Sequence, residues 1–221
     1  MAITAITMSA QSDVTTFLGI PVDGTEANMR QKLIAKGFTP KVEGGHKFLQ
    51  GRFNGMNVNV HIVTNNDKVW RIMVCDNDTW DETNIKIKYN NLVKQFTDKK
   101  SYLCFDDFTI PDSEDISFEI LAHKKRYEAS FYQNLDKEKL AKDSLAIHNR
   151  ITQEMLKKFS AEDFANPSEE FKKEFTDVSD NILMDLISKK SVWLMINEHR
   201  SKYYISIYYD NLYNQANGED L

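Results

Sequence analysis

Residues 202–211 read KYYISIYYDN, and their alternation decides what kind of sheet this chain builds. Tyr203, Ile205, Ile207 and Tyr209 fall on one side of a strand, with Tyr204, Ser206 and Tyr208 on the other. KVWRIMVCDN at 68–77 and KRYEASFYQN at 125–134 have the same shape: a lysine start, an alternating body and an Asx or Gln-Asn corner. Each is predicted to be the second strand of a hairpin entered through a polar turn. With helices between them, the three suggest a tandem α-plus-hairpin unit. The closing pairs Asp76-Asn77 and Asp210-Asn211 read as turn and cap residues.

The stretch just before pairs with the last strand. SVWLMIN at 191–197 is followed by EHRS, and there Val192, Leu194 and Ile196 alternate with Trp193 and Met195. Both faces of this hairpin are apolar or aromatic, so both need a cover. Helices supply it on one side; on the other it is either another helix or a partner. Tyr and Trp suit an interface because one end of the ring is apolar and the other hydrogen-bonds. Trp193, Tyr204, Tyr208 and Tyr213 are therefore the candidate partner-binding residues.

Further upstream, Asn54-Gly55 lies between HKFLQGRF and MNVNVHIV, the strongest short hairpin signal in the chain. Met56, Val58, Val60 and Ile62 are expected to face the core, and Asn57, Asn59 and His61 to face water. With KVWRIMVC after a polar turn, this makes a three-strand meander. A helix is predicted before it, with Asp23 and Glu26 as a capping box and Gly37 just past its end. A second helix is predicted after it, with Thr79 and Glu82 as its capping box and Ile85, Tyr89, Leu92 and Phe96 on one face. ISFEIL at 116–121 is expected to be the first strand of a hairpin ending in RYEASFY. Two helices follow, marked by Leu140 to Met155 and by Phe171 to Leu186, with Pro167 and Ser168 starting the second. The fold class is α+β, with antiparallel hairpins carrying helices on one face. The division is residues 1–11, 12–100 and 101–221, the last two able to form one continuous domain.

Composition narrows the class. The chain has 221 residues, 41% hydrophobic and 28% charged, with 3 Trp, 9 Tyr and 13 Phe to bury. A net charge of −5 argues against general nucleic-acid binding, which needs a basic face to displace counterions. No apolar run is long enough to span a membrane. Residues 1–11, MAITAITMSAQ, resemble the apolar core and cleavage end of a secretory signal without its basic start; the other reading is a first strand or a frayed terminus. Export would expose Cys75 and Cys104 to oxidant, although both sit in strand-like text that suits buried free thiols.

Chemistry is thin. The five histidines (His46, His61, His123, His148, His199) form no ligand spacing, and no nucleophile elbow, phosphate loop or dinucleotide fingerprint occurs. DNDTWDE at 76–82 offers Asp76, Asp78 and Glu82 as hard oxygens, but Trp80 and Asp81 stand where a calcium loop needs an oxygen ligand and a glycine. No catalytic, cofactor-binding or metal-ligating residue is nominated, and no cofactor.

FLGIPVDGT…KLIAKGF, the meander FNGMNVNVHIVTNNDKVWRIMV and the ending YYDNLYNQANGEDL are similar to small uncharacterised secreted proteins of Bacteroides-type gut bacteria. That resemblance implies a periplasmic or secreted location and carries no assigned activity. At the level of architecture the tandem units resemble periplasmic inhibitor proteins and PepSY-like modules. The expected function is a non-catalytic, inhibitor-type binding protein of the cell envelope whose partner is another protein. The alternatives are a hydrolase with a dispersed site, or a structural component of a phage particle or surface assembly.

Overall fold

Among its described residues, 13–216 and 218, the computed structural model has six helices and ten strands. In chain order these are β1 (Thr16–Phe17), β2 (Ile20–Pro21), α1 (Glu26–Ala35), β3 (Thr39–Glu43), β4 (His46–Phe53), β5 (Met56–Asn65) and β6 (Lys68–Asp76). There follow α2 (Glu82–Asp98), β7 (Tyr102–Leu103), α3 (Ile116–His123), β8 (Glu128–Gln133), α4 (Lys137–Met155), α5 (Ala161–Ala165), α6 (Glu169–Ser188), β9 (Ser191–His199) and β10 (Lys202–Asp210). The fold is α+β and every strand pairing is antiparallel. The leader-like residues 1–11 lie outside the described residues.

Turn chemistry sets the registers. Asn54 and Gly55 have φ of 49° and 79°, the left-handed pair that closes β4 on β5 in two residues. Arg200 and Ser201, at 53° and 57°, close β9 on β10 in the same way. The eight main strands run in the order β3-β4-β5-β6-β10-β9-β8-β7. Along the chain, a helix followed by four strands occurs twice: α1 with β3 to β6, and α2 with β7 to β10. In the second case α3 is inserted before β8, and α4 to α6 before β9. The last strands of the two halves pair at the centre, Ile207 opposite Val74 and Tyr209 opposite Ile72, so one sheet runs through segments 12–100 and 101–221.

One face of that sheet is the core. Leu49, Val60, Ile72, Val74, Phe131, Leu194, Ile205 and Ile207 bury against Met29 and Leu33 of α1, Ile85, Tyr89 and Leu92 of α2, and Ile116 of α3. Each such side chain contributes about 1.5–3 kcal/mol on leaving water. Val58, Val60, Ile72 and Val74 are buried as their alternation requires, Asn57 is exposed, and Asn59 and His61 are half-buried. Apart from this layer, α4 and α6 pack on each other, and α6 reaches the sheet at β8. Met155 and Phe171 are buried there, and the rings of Phe159 and Phe164 pack on Phe171.

Four local expectations are corrected. ISFEIL is the helix α3: Asp115 caps it by accepting the Phe118 N–H at 2.8 Å, and the Glu82 carboxylate accepts the Ile116 N–H at 2.9 Å and the Ser117 hydroxyl. An anion at a helix N-terminus is favourable, and a six-residue apolar run does not by itself separate strand from helix. It follows that β8 is no hairpin partner of 116–121; it lies between β7 and β9. The caps of α1 and α2 are Thr25 and Asp81, accepting from Asn28 and Asn84, in place of Asp23 and Thr79. Finally, Ser168 caps α6 and Pro167 precedes that cap, so Pro167 is not inside the first turn.

Candidate binding face

The other face of the sheet carries the remaining aromatic residues. Strand alternation places Trp193, Met195 and Asn197 of β9 there, with Tyr204, Ser206, Tyr208 and Asp210 of β10. From β6 it takes Arg71, Met73 and Cys75, which stand opposite Asp210, Tyr208 and Ser206. A β-bulge adds to it. The β5–β6 register shifts between Val63 and Thr64, leaving Trp70 as the extra residue on β6. Val69 therefore turns into the core at 0% exposure, and Trp70 and Arg71 come together, with the guanidinium 4.3 Å from the Trp70 ring centroid.

Arg71 is the hub. Its Nε and Nη2 donate to the two carboxylate oxygens of Asp210 at 2.6 and 2.7 Å, a bidentate geometry that fixes the guanidinium plane. Trp193 donates its indole N–H to Asp210 Oδ2 at 2.9 Å. That bond lays the Trp193 ring on Tyr208, with centroids 3.9 Å apart and planes at 13°, and Arg71 stands 4.9 Å from the Tyr208 centroid and 5.3 Å from that of Trp193. Asp210 itself is 3% exposed. Asp210 and Asp76, read from sequence as turn residues, are strand-end ion-pair residues: Asp76 faces the opposite side, 2.6 Å from Lys88, and also accepts the Ile205 N–H. The sequence signal for the hub was Arg71 itself, a charge in the apolar run VWRIMV that needs a partner when half-buried.

Trp193, Tyr204 and Tyr208 share this face and are half-buried. The covering helices α1, α2 and α3 sit on the opposite side, and hydrogen bonds here run between neighbouring strands, as in Asn197 to Ser206, Gln50 to Asn59 and Tyr208 to Met195 Sδ. Burial raises the Tyr204 and Tyr208 phenols above their ordinary 10 and the Cys75 thiol above its ordinary 9.0, so all three are protonated at neutral pH. A protonated thiol is a poor nucleophile. Tyr213 is not part of the group. It is 45% exposed and borders a separate cavity of about 270 Å³ between α4 and α6.

The other candidate chemistry is committed elsewhere. A cavity of about 660 Å³ beside β1, β7 and the end of α2 is bordered by Asp13, Tyr102, Gln133, Lys190 and Tyr209. Lys190 donates to Asp13 and to the Asn134 carbonyl, while Gln133 binds both Thr16 and Tyr102, so these groups hold the chain to itself. Glu82 is spent on α3 and Asp76 on Lys88, and no group of metal-ligating side chains forms among the described residues. Cys75 and Cys104 are free, half-buried thiols. No described helix is long and apolar enough to cross a membrane. Comparison with protein-family models, with curated proteins and with solved structures finds no match.

Proposed function

We propose that this chain is a non-catalytic binding protein that takes a protein partner on the open face of its sheet. One observation supports this most directly: the Trp193–Tyr208 stack, with Arg71 beside it and Asp210 fixing both, lies on the face opposite α1, α2 and α3. Rigid aromatic rings around a neutralised arginine lose little conformational entropy when they are covered, which is why such groups dominate interfaces. The pairing of Arg71 with Asp210 leaves the patch electrically balanced. It therefore suits an apolar or aromatic segment with hydrogen-bonding edges better than a polyanion or a basic tail. Asn197, Tyr204 and Gln50 supply the polar rim.

A location in the cell envelope is part of the same proposal. Its support is the leader-like composition of residues 1–11, and mass spectrometry of the N-terminus in the native host tests it: a chain beginning at Gln11 supports export, and an intact Met1 rejects it.

A photo-crosslinking residue at Tyr204 tests the binding face, with the same residue at Ile87 as control; Ile87 is 55% exposed on α2, across the sheet. In native-host cells the Tyr204 position should give one adduct of defined mass and the Ile87 position none. No adduct at Tyr204, or the same adduct at both positions, rejects the reading.

A further inference from the structure

The cavity of about 660 Å³ beside β1, β7 and the end of α2 has the size of sites that hold small ligands. Four aromatic rings border it. Phe96 meets Tyr102 edge-on at 5.0 Å, and Phe53 meets Tyr209 edge-on at 6.5 Å. Leu18 and Leu92 extend this apolar wall.

The hydrogen bonds in the wall do not balance. Gln133 Nε2 donates to the Thr16 carbonyl at 2.7 Å and to the Tyr102 hydroxyl at 3.2 Å, while Gln133 Oε1 accepts from the Thr16 N–H and hydroxyl. The Tyr102 hydroxyl also meets that of Tyr209. Burial raises both phenols above their ordinary 10, so each keeps its proton at neutral pH. Two phenol protons therefore share one contact. If Tyr209 donates to Tyr102, the Tyr102 proton has no acceptor among the described residues; if Tyr102 donates, the Tyr209 proton has none. One O–H is left over in either case, on the border of the cavity.

Charge is uneven as well. Arg52, Lys99 and Lys190 border the cavity against Asp13 and Asp136. Lys190 pairs with Asp13 at 2.9 Å, and Arg52 donates to the Gly55 carbonyl. Lys99 has no carboxylate partner among the described residues, and its ammonium lies 5.5 Å from the centroid of the Tyr102 ring.

We infer that this cavity binds a small organic acid, a molecule with an apolar body of about one ring and a single carboxylate. The body lies on the aromatic wall, one carboxylate oxygen accepts the leftover phenol proton, and the other faces Lys99. A neutral amide takes the proton but leaves Lys99 uncompensated. A protonated amine supplies no acceptor and meets Lys99 as a like charge. Tyr209 belongs to the covered side of the sheet, so the site stands or falls separately from the partner-binding face.

Three probes share one body: phenylpropanoate, phenylpropanamide and phenylpropylamine. Acetate is the head group alone. The readout is the backbone amide resonances of Tyr102 and Gln133 in the full chain. Phenylpropanoate should shift them saturably and bind about two- to fivefold more tightly than the amide, the worth of an exposed ion pair. The amine and acetate should each bind at least about tenfold more weakly than phenylpropanoate, for want of an acceptor and of apolar burial respectively. Lys99→Gln, an exposed substitution, should bring phenylpropanoate down to the level of the amide and leave the amide unchanged. Tyr102→Phe/Tyr209→Phe should weaken both; if that variant does not fold, Lys99→Gln decides alone. Tyr204→Ser/Tyr208→Ser, on the other face, should change nothing. The inference is overturned if no probe shifts these resonances, if the amine or acetate binds as tightly as phenylpropanoate, or if Lys99→Gln binds phenylpropanoate as well as the wild type.

Discussion

The two faces of one sheet use aromatic residues in opposite ways. On the covered face Phe17, Tyr89, Phe131 and Tyr209 are at most 3% exposed, buried by helices and by the β1–β2 hairpin, and Phe17 and Tyr209 meet at a tilt of 52°. On the open face Trp193 and Tyr208 lie nearly parallel, shield one another, and are held by the Asp210 carboxylate and the Arg71 guanidinium. Burial alone organises the first set. The second depends on Asp210, which orients an arginine and an indole together.

The comparison breaks most readily at the covered face. Phe131 is 0% exposed and stacks on Phe96 at 4.8 Å. Phe131→Ala should cost about 3–5 kcal/mol in chemical denaturation; a loss below about 1 kcal/mol would mean that this face is not the core. Asp210→Ala is next. It leaves Arg71 without its carboxylate and Trp193 without its acceptor, but the Arg71 side chain keeps 22% exposure. We expect about 2–4 kcal/mol, less than a fully buried pair would lose, with a change in near-ultraviolet circular dichroism as the Trp193 ring is released. An unchanged spectrum would show that the carboxylate does not position that ring.

A smaller effect tests how tightly α1 and its exit close the covered face. A Cβ on Gly51 would lie 2.6 Å from Phe38 Cδ1, so Gly51→Ala must displace the ring and should cost about 1–2 kcal/mol. Equal stability of the variant would mean that Phe38 has room to move.

The smallest effect belongs to the open face. Burial, then repulsion from His46, holds the His61 imidazole below its ordinary 6.5, and its ring stacks on Phe48. The folded state therefore favours the neutral ring. Its contribution is complete above the unfolded value of 6.5 and is lost as pH falls from there through the lower folded value. His61→Gln should flatten the fall in stability just below pH 6.5; an unaltered profile would assign that fall to other groups.

The covered face was legible in the sequence because alternation and turn chemistry both report it. Val58, Val60, Ile72 and Val74 follow a period of two, and Asn54-Gly55 pins their register. The hub was only half legible. The surplus of rings at Trp193, Tyr204 and Tyr208 is visible in the strand text, but the bulge at Trp70 is not, and without it Arg71 and Trp70 do not meet. Asp210 looked like a turn residue because it ends its strand; only the pairing of β6 with β10 brings it opposite Arg71, a contact made across 139 residues. Residues 116–121 were misread because their apolar spacing fits either period, and the deciding contact, from Glu82, comes from another helix. Tyr213 was grouped with the face by sequence proximity, whereas the chain after Asp210 leaves the sheet toward α4 and α6.

The claim that the open face is an interface is tested most directly by Tyr204→Ser/Tyr208→Ser, with folding stability and affinity for the partner captured at Tyr204 measured on the same preparation. Losing the Trp193–Tyr208 stack should cost about 1–2 kcal/mol of stability and leave the variant folded. Affinity should fall at least about tenfold, as when one or two buried rings leave an interface. A folded variant that binds the partner as well as the wild type would contradict the account.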